Sequence, residues 1–351
     1  MSDVVIVGAG IAGASLAAEI AGAASVVLLE AESQPGYHAT GRSAAFWSES
    51  YGGPLIRPLT TASGPALAPW LRPRGALHIA DAEGRAGLET LVAAFPAGLF
   101  APMDRAALAQ AIPGLKPGWD HGLAEPSCAD IDVAGLHADC LKRARLGGAT
   151  LVTDAPMMAA ERSGGRWRIE AGGREFEADV LVNAAGAWSD EVAVRAGAGR
   201  LGIQPCRRTI AQLRTEPPAP ETLPLVIDAA GRFYFKPEPG GRLWLSPHDE
   251  TPCPPHDCAP EELDVALAID RLERAVDWRV AAVERKWAGL RSFAPDRLPV
   301  YGYAEPGFFW CAGQGGFGIQ TAPAAASLAA ALLLGRAPEI DPAPYSAARF
   351  G

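Results

Sequence analysis

The chain has little of what several classes of protein require. Only four lysines accompany its 27 arginines and the net charge at pH 7 is −9, so the basic face of a nucleic-acid-binding protein is missing. The longest apolar run, Ala322–Leu334, is shorter than the roughly 20 residues that cross a bilayer. No charged and apolar leader precedes the first predicted strand. We therefore expect a cytoplasmic protein without an integral membrane segment or a nucleic-acid partner.

Cysteine pairs and metal ligands are also scarce. The six cysteines include no CxxC pair, and in a cytosolic protein they are expected to be free thiols. Cys253, His256 and Cys258 place three zinc-binding side chains in one proline-rich loop. Because no fourth ligand lies nearby in the sequence, we predict that the chain holds no metal.

The first thirty residues, in contrast, carry a complete nucleotide-binding pattern. An apolar strand leads into Gly8, Gly10 and Gly13, a helix follows over residues 14–20, and a second strand ends at Glu30. The first glycine permits a tight turn, the second lets the backbone approach a pyrophosphate, and the third lets the helix pack closely on the strand. The free N–H groups of the helix N-terminus favour the pyrophosphate, and Glu30 can accept hydrogen bonds from ribose hydroxyls.

Three later segments consist of small residues that allow a flat ligand to approach. Thr40–Ala45 contains Arg42, which can meet a phosphate; the alternative interpretation is a helix start capped by Thr40 or Ser43. The buried strand that ends at Ala184–Gly186 is the second segment. In the third, Gly313–Gly318 is predicted to open a helix whose N-terminus stabilises negative charge on a reduced flavin.

The other segments predict an α/β chain with an inserted antiparallel sheet between about residues 201 and 292. Residues 52–120 are rich in proline and alanine, and we expect them to be peripheral. The predicted elements are strands Val4–Val7, Ser25–Leu29, Thr150–Thr153, Asp179–Trp188, Thr209–Leu213, Leu223–Ile227, Arg232–Phe235, Arg242–Ser246 and Gly307–Ala312, a hairpin of Arg166–Glu170 and Glu175–Glu177, and helices Val133–Arg145, Pro260–Ala275 and Ile319–Leu334.

Five motifs follow one another in the chain: GAGIAGAS with LLE, TGRSAA, VNAAGAW, WAGLRSF and GQGGFGIQT. Together they resemble those of the D-amino-acid oxidase, glycine oxidase and sarcosine oxidase family of FAD oxidoreductases. The resemblance extends from about Val4 to Thr321. Within that family, YHATGRSAA, VNAAGAWSD, FYFKP and WAGLRSF are most similar to bacterial D-arginine dehydrogenases.

The resemblance implies a Rossmann-like FAD-binding domain made of residues 1–45, 130–200 and 293–351. Residues 46–129 and 201–292 would form an inserted substrate-binding domain with an antiparallel β-sheet. FAD is expected to be bound non-covalently, because the AGLRSF motif carries Phe293 and no cysteine, whereas the family's cysteine-linked members are sarcosine oxidases. The cofactor-binding residues are expected to be Gly8, Gly10, Ile11, Ala12, Gly13, Glu30, Ala31, Thr40, Gly41, Arg42, Ser43, Ala44, Ala45, Pro156, Ala185, Gly186, Trp188, Gly315, Gly316, Phe317, Gly318, Ile319 and Gln320.

The resemblance also implies an activity, namely hydride transfer from the Cα of a D-amino acid to flavin N5, followed by hydrolysis of the imine to a 2-oxo acid. Two arginines, Arg208 and Arg291, and Tyr234 would clamp the substrate carboxylate, since a guanidinium offers a bidentate fork to a carboxylate. Tyr51 and the backbone carbonyl of Gly316 would lie near the amine. The alternatives are that each arginine is a surface charge and that Tyr51 forms an apolar wall with a solvated hydroxyl.

Departures from the family pattern concern the substrate pocket, which we expect Phe46, Ser48 and Ile227 to line. Phe46 stands where the D-arginine dehydrogenases have a histidine, and Gly75 or Ala76 stands where they have a glutamate. A guanidinium would therefore lack a partner, and we predict a neutral, apolar substrate.

Two other functions stay open from the sequence. One is oxidation of a 2-hydroxy acid or an N-alkyl glycine on the same fold. The other is a flavoprotein subunit that only transfers electrons, against which the three clamp residues argue. The motifs do not distinguish a quinone, a dye or oxygen as the electron acceptor.

Overall fold

The structure is a computed structural model, and it describes residues 2–350. The strands are β1 (Ser2–Val7), β2 (Val26–Leu29), β3 (Phe46–Trp47), β4 (Leu71–Pro73), β5 (Ala76–Ala80), β6 (Ala101–Met103), β7 (His121–Glu125), β8 (Ala129–Ile131), β9 (Thr150–Val152), β10 (Met157–Ser163), β11 (Arg166–Ala171), β12 (Arg174–Asn183), β13 (Gln204–Glu216), β14 (Leu225–Asp228), β15 (Tyr234–Glu238), β16 (Arg242–Ser246), β17 (Thr251–Pro252), β18 (Arg279–Phe293), β19 (Val300–Glu305), β20 (Phe308–Ala312) and β21 (Gln314–Gly315). The α-helices are α1 (Ile11–Ile20), α2 (Arg57–Leu67), α3 (Arg85–Ala94), α4 (Arg105–Ala111), α5 (Val133–Leu146), α6 (Ser189–Arg195), α7 (Glu262–Ala275) and α8 (Ala322–Leu333).

The first sheet forms the nucleotide-binding part of the fold. Its strands lie in the order β10-β11-β12-β1-β2-β9, and β20 pairs with β12 and β19 with β20. The central pairs β1–β2, β1–β12 and β12–β20 are parallel. This arrangement confirms the predicted strand–helix–strand unit at the N-terminus. The predicted strands at 175–177 and 179–188 form one continuous strand, β12, because its first half pairs with β11 and its second half with β1 and β20. The strand ends at Asn183, earlier than predicted, since residues 186–188 form a helical turn.

Helices α1, α5 and α8 cover one face of this sheet. Leu16 and Ile20 of α1 are fully buried against Leu28 of β2 and Phe309 of β20. Helix α5 begins where the Asp132 carboxylate accepts a hydrogen bond from the Gly135 N–H, as a side-chain cap does. It ends at residue 146, before two glycines, in agreement with the predicted helix over 133–145.

The second sheet lies over the first and is mostly antiparallel. Its order is β21-β18-β13-β16-β15-β14-β5-β7-β6, with β17 beside β13. Long strands β13 and β18 form its spine, paired from Gln204 with Phe293 to Glu216 with Arg279. Helix α7 packs Val265 and Leu272 into the core of this sheet. The predicted inserted sheet is therefore present.

One expectation about this sheet was wrong. Residues 52–120 are not peripheral, because β5 is buried along its whole length and pairs with β14 and β7 within the sheet. Their proline and alanine content hid a strand whose partners come from elsewhere in the chain.

Two short elements lie between the main sheets, a small third sheet and strand β21. In a three-stranded sheet, β8 pairs with β3 and β4. Strand β21 follows directly after β20 of the first sheet, yet it pairs with β18 of the second, Gln314 with Phe293 and Gly315 with Ser292. The strands of the first sheet fall within residues 1–45, 130–200 and 293–351, whereas β21 departs from the predicted partition, so the domain boundaries stay a prediction. Within residues 2–350, no helix combines the length and apolarity needed to cross a membrane.

Candidate active site

A cavity of about 470 Å³ lies between the two sheets, within the ordinary size range of cofactor sites. Residues from both sheets line it. Most residues of the predicted cofactor set line this cavity, namely Gly8, Gly10, Ile11, Ala12, Glu30, Ala31, Thr40, Arg42, Ser43, Ala44, Ala45, Pro156, Ala185, Gly186, Trp188, Gly315, Gly316, Gly318, Ile319 and Gln320. Gly13, Gly41 and Phe317 do not line it; Gly13 and Phe317 are buried, whereas Gly41 is exposed.

The N-terminal glycines are required by the backbone around them. Gly8 has a φ of +103°, and a Cβ atom there would lie 2.5 Å from the carbonyl oxygen of Ala184. A Cβ on Gly13 would overlap the carbonyl oxygen of Gly8, which is the close approach of helix to strand that the sequence predicts. These glycines bring α1 and the end of β1 together at the cavity wall.

Glu30 and Thr40 complete the cofactor end. The Glu30 carboxylate accepts hydrogen bonds from the Ala9 N–H at 3.0 Å and the Glu32 N–H at 3.1 Å, and it lines the cavity. Thr40 Oγ1 accepts the Ile11 N–H at 3.0 Å at the start of α1. A wall of backbone and small residues next to a fixed carboxylate fits the adenosine diphosphate half of FAD. Tyr37, His38, Glu191 and Arg195 also line this cavity, although the sequence offered no spacing that identified them.

One prediction at this end needs correction, and a second stays untested. Helix α8 begins at Ala322, later than predicted, because residues 316–321 form turns. Two of its first N–H groups are bound within the protein, Ala322 to the Ile319 carbonyl and Ala324 to Ser63 Oγ, and stabilisation of a reduced flavin by this helix stays a prediction. The Arg42 guanidinium binds Asp257 at 2.6 Å and the Ala288 carbonyl at 3.1 Å. Its role in phosphate binding stays a prediction.

At the other end of the cavity, the two predicted arginines approach each other from neighbouring strands. Arg208 on β13 is buried, lines the cavity, and lies 5.9 Å from the ring centre of Tyr234. Arg291 on β18 also lines the cavity, and its Nε and Nη1 atoms are buried without a hydrogen-bond partner in the described chain. A buried guanidinium with unused N–H groups is a binding site for an anion.

Tyr51 and Gly316 meet at the same point. A Cβ atom on Gly316 would lie 2.5 Å from Arg291 Nε and closer still to the hydroxyl of Tyr51. Any larger residue would therefore displace the arginine or the tyrosine. The structure thus brings together all five residues predicted to be catalytic, which are Tyr51, Arg208, Tyr234, Arg291 and Gly316.

Three aromatic rings form the wall beside these residues. Phe46 lies 5.1 Å from Tyr51 and 6.2 Å from Tyr234, measured between ring centres. Burial raises the pKa of the Tyr234 phenol, so it stays protonated and able to donate a hydrogen bond at neutral pH. Two residues expected in the pocket do not line the cavity. Ser48 is fully buried on Glu125, and Ile227 packs in the core beneath Tyr234.

Ser48 belongs to a buried network that the sequence did not reveal. The fully buried Glu125 carboxylate accepts hydrogen bonds from Ser48 Oγ at 3.0 Å and Ser50 Oγ at 2.6 Å, and His78 Nε2 lies 3.3 Å away. Burial raises the pKa of Glu125, but the bonds from His78 and Ser50 outweigh it, and the pKa lies below its usual value. Ser50 and Glu125 approach the same imidazole nitrogen in a closed interior, so the group is not a hydrolytic triad. It fixes the segment that carries Tyr51.

Residues 247–258, which we call the roof segment, also escaped the sequence analysis. Asp249 accepts Arg208 Nε through its backbone carbonyl at 2.7 Å, and its carboxylate accepts the Thr209 N–H. Burial, together with Arg208 and Arg291, lowers the pKa of His248 to about 3. Farther along, Asp257 holds Arg42 as described above. Strand β17 within this segment pairs with β13, Thr251 with Arg207 and Pro252 with Cys206, and this tertiary pairing brings the polar segment to the site.

The fold has two sheets with a cavity between them, glycines at its nucleotide end and two arginines of the second sheet at its other end. These features fit the class of FAD-dependent oxidoreductases. The chain matches the model of the FAD dependent oxidoreductase (DAO) family over residues 3–332, and it belongs to that family. FAD is therefore its cofactor, and the residues described above fit it.

The relatives agree with this assignment. Glycine oxidase of Pseudomonas aeruginosa is 34% identical over 183 residues, which cover 50% of this chain and 47% of that protein. Glycine oxidase of Geobacillus kaustophilus is 26% identical, with 99% of this chain and 97% of that protein covered. The chain thus spans about half the length of the first relative and nearly all of the second.

Solved structures show the same fold. The crystal structure of a glycine oxidase from Geobacillus kaustophilus has a TM-score of 0.85 at 24% identity, covering 99% of this chain and 98% of that one. An L-proline dehydrogenase from P. horikoshii has a TM-score of 0.86 at 19% identity, covering 99% and 97%. The sequence prediction of an FAD-dependent oxidoreductase of this family is confirmed. The finer resemblance to D-arginine dehydrogenases stays a prediction.

Proposed function

We propose that the protein oxidises the Cα–N bond of a small neutral amino acid, either glycine or a D-amino acid, to an imine that water hydrolyses to a 2-oxo acid and ammonia. The observation that carries the proposal is Arg291, whose Nε atom is buried, has no hydrogen-bond partner among the described residues, and lies beside Gly316 and the Tyr51 hydroxyl at the cavity. A carboxylate is the anion that this fork fits best. FAD, when bound, would accept the hydride with its two electrons, and the amine nitrogen would release one proton to solvent.

The chain's own residues have three tasks in this proposal. Arg291 and Arg208 bind and orient the carboxylate, which fixes the Cα–H bond in one direction. Tyr234, protonated at neutral pH, donates a hydrogen bond to the same group. The aromatic wall of Phe46 and Tyr51 excludes water from the reacting carbon.

The lining of the cavity supports a neutral substrate. The acids that line it are Glu30, Glu32 and Glu191, all at the cofactor end. Glu49, an acid close to Tyr51 in the sequence, is bound to Arg57 at 2.7 Å and does not line the cavity. Because a buried cation without a partner costs several kcal/mol, we expect apolar D-amino acids to exceed D-arginine by ~10-fold or more in kcat/KM.

Ring packing favours a substrate at the small end of this range. Phe46 is in contact distance of both Tyr51 and Tyr234, so little room is left between the rings for a long side chain. Glycine and its N-methyl derivative sarcosine are therefore the second candidates, in line with the glycine oxidases among the relatives.

Anaerobic bleaching of the flavin tests these alternatives together. The panel comprises glycine, sarcosine, D-alanine, D-leucine, D-methionine, D-phenylalanine, D-arginine and D-lactate, with the L-enantiomers as controls. We expect neutral amino acids to bleach the flavin fastest. Fastest bleaching by D-arginine would contradict the proposal, and bleaching by D-lactate alone would make the protein a 2-hydroxy-acid oxidoreductase.

The attachment of the cofactor is tested separately. Among the described residues no cysteine lines the cavity, which supports non-covalent FAD. Acid precipitation should leave the yellow colour in the supernatant, whereas colour in the pellet would contradict non-covalent binding. The cytoplasmic location and the choice of quinone, dye or oxygen as acceptor stay predictions, and reoxidation rates in air and with a quinone decide the second.

A further inference from the structure

Glu250, in the roof segment, lies between the two arginines of the proposed clamp. Its Oε1 atom is 2.8 Å from Arg291 Nη1 and 3.7 Å from Arg208 Nη2. Its Oε2 atom is 2.8 Å from Arg297, which is half exposed. One carboxylate thus contacts three guanidinium groups.

Glu250 and the cavity residue Gly316 lie next to different atoms of the Arg291 guanidinium, Glu250 next to Nη1 and Gly316 next to Nε and Nη2. Glu250 does not line the cavity, and about a third of its side chain is exposed to solvent. The Nε edge of Arg291, in contrast, points to Gly316 and Tyr51 on the cavity side. The glutamate therefore leaves that edge free for a ligand.

The contact is electrostatic rather than directional. Arg291 Nη1 is close to Glu250 Oε1, but its N–H bonds are not aligned on the carboxylate, so no hydrogen bond forms. Among the described residues Glu250 is the only carboxylate within ion-pair distance of Arg291. Without it, Arg291 would face the like charges of Arg208 and Arg297 alone, and such an arrangement favours a guanidinium that swings away from the cavity.

The ring of Phe293 packs against two of the three arginines that Glu250 contacts. Arg291 and Arg297 both lie over the Phe293 ring, 5.0 and 3.9 Å from its centre. The aromatic face holds the flat guanidinium groups, and Glu250 supplies the negative charge that keeps them together.

We propose that Glu250 is a positioning residue, the fixed counter-ion that holds Arg208 and Arg291 ready for a carboxylate ligand in the free enzyme. The inference rests on the proposed function, because it assumes that these arginines bind a carboxylate. It adds that binding is preorganised by a residue that never touches the substrate. Loss of Glu250 should therefore weaken carboxylate binding and leave the rate of the bound complex nearly unchanged.

The test uses the FAD-loaded protein and acetate as a non-reacting carboxylate probe. Acetate is titrated against the visible absorbance of the flavin, and KM and kcat are measured with the best amino acid of the panel. In Glu250→Gln, which keeps the shape and removes the charge, we expect the Kd of acetate and the KM to rise about 10-fold, with kcat within about 2-fold. In Glu250→Asp, the Kd of acetate and the KM should lie between those of Glu250→Gln and the wild type. If Glu250→Gln loses its flavin, the same measurements are made on Glu250→Asp.

A matched control lies in the same sheet. Glu284 on β18 binds Arg242 at 2.6 Å and is similarly exposed, but it is remote from the cavity lining. Glu284→Gln should change neither Kd nor KM. This control distinguishes the effect of losing an ion pair elsewhere in the sheet from the effect of losing the Glu250–Arg291 pair.

The outcomes are distinguishable. Unchanged acetate binding in Glu250→Gln would overturn the inference alone. Tighter binding would also overturn it, because Glu250 would then compete with the ligand for the arginines. Failure of the wild type itself to bind acetate would overturn the proposed function, and the inference with it.

Discussion

The two ends of the cavity are built from different materials. The cofactor end consists of backbone groups and small residues, mostly from residues 8–45, and its shape depends on glycines such as Gly8 and Gly13. The substrate end consists of long charged and aromatic side chains from β13, β15 and β18. The shape of the cofactor end depends on how closely backbone segments pack together. The substrate end depends on how the charges of its side chains balance one another. We therefore expect the two ends to fail in different ways when they are changed.

The largest effect is expected at the cofactor end. In Gly13→Val the new side chain would overlap the Gly8 carbonyl oxygen, so α1 could not pack on β1. We expect a loss of at least ~4 kcal/mol in the free energy of unfolding, or no folded protein, and no bound FAD. Urea unfolding and the flavin-to-protein absorbance ratio measure this. The control is Gly22→Ala, at a site with nothing within 4 Å, and stable flavin binding in Gly13→Val would show that backbone approach does not specify this end.

The substrate end should instead lose activity while the fold stays intact. Arg291→Met keeps much of the side-chain length but removes the charged fork, so kcat/KM should fall ~10²-fold or more. Steady-state kinetics give this value, and the flavin content should match the wild type. Arg285→Met is the matched control, since Arg285 is exposed on the same strand. Full activity of Arg291→Met on an amino acid would show that Arg291 does not bind the substrate carboxylate.

A smaller effect at the same end separates the two functions of Tyr51. In Tyr51→Phe the ring stays against Phe46 and Phe317, but the hydroxyl near Arg291 is lost. If the hydroxyl contacts the substrate, kcat/KM should fall about 10-fold, the ordinary value of a charge-assisted hydrogen bond. Tyr303→Phe, on the first sheet, serves as control. An unchanged kcat/KM would reduce Tyr51 to an apolar wall, the alternative already raised by its sequence.

The difference between the ends also explains what the sequence could reveal. The nucleotide unit is local, so strand, glycines, helix and Glu30 could be identified from their spacing within thirty residues. The clamp arginines could be assigned only through family resemblance, because Arg208 and Arg291 become neighbours through the pairing of β13 with β18. Glu125 and Glu250 carry no local signal at all, since each is defined by partners far away in the chain.

Errors in the prediction have the same origin. Ser48 is expected from the sequence to line the pocket, but its side chain is buried and donates a hydrogen bond to Glu125 instead. The start of α8 was placed three residues too early, since glycines at a strand end indicate a turn without giving its length. Both errors concern side-chain direction or element ends, which depend on tertiary packing.

The last effect concerns stability rather than activity, namely its dependence on pH through His248 in the roof segment. The pKa of His248 is about 3 in the folded protein against 6.5 in the unfolded chain, because of burial and the nearby Arg208 and Arg291. The unfolded chain thus binds the extra proton between these values, so stability falls as the pH drops below about 6.5. At pH 5 this amounts to ~2 kcal/mol, which His248→Asn should abolish.

Urea unfolding of both proteins at pH 7.5 and pH 5 measures this difference. Comparing the variant with the wild type isolates His248 from Asp249, whose pKa burial raises and whose effect has the opposite sign. His256→Asn, at an exposed histidine, should behave as the wild type does. An equal pH response of His248→Asn and the wild type would mean that the roof does not exclude a proton at this position.

The roof segment gives the molecule a natural unit for recombination. Its twelve residues contact Arg208 and Arg291 through Asp249 and Glu250, and Arg42 of the cofactor end through Asp257. A chimera that received this segment from a relative would change two sets of contacts in one step. These are the charges beside Arg208 and Arg291 and the ion pair that holds Arg42. Exchange of the sheet strands alone would separate the arginines from their counter-charges. Laboratory evolution of new substrate preferences should therefore transfer the segment whole.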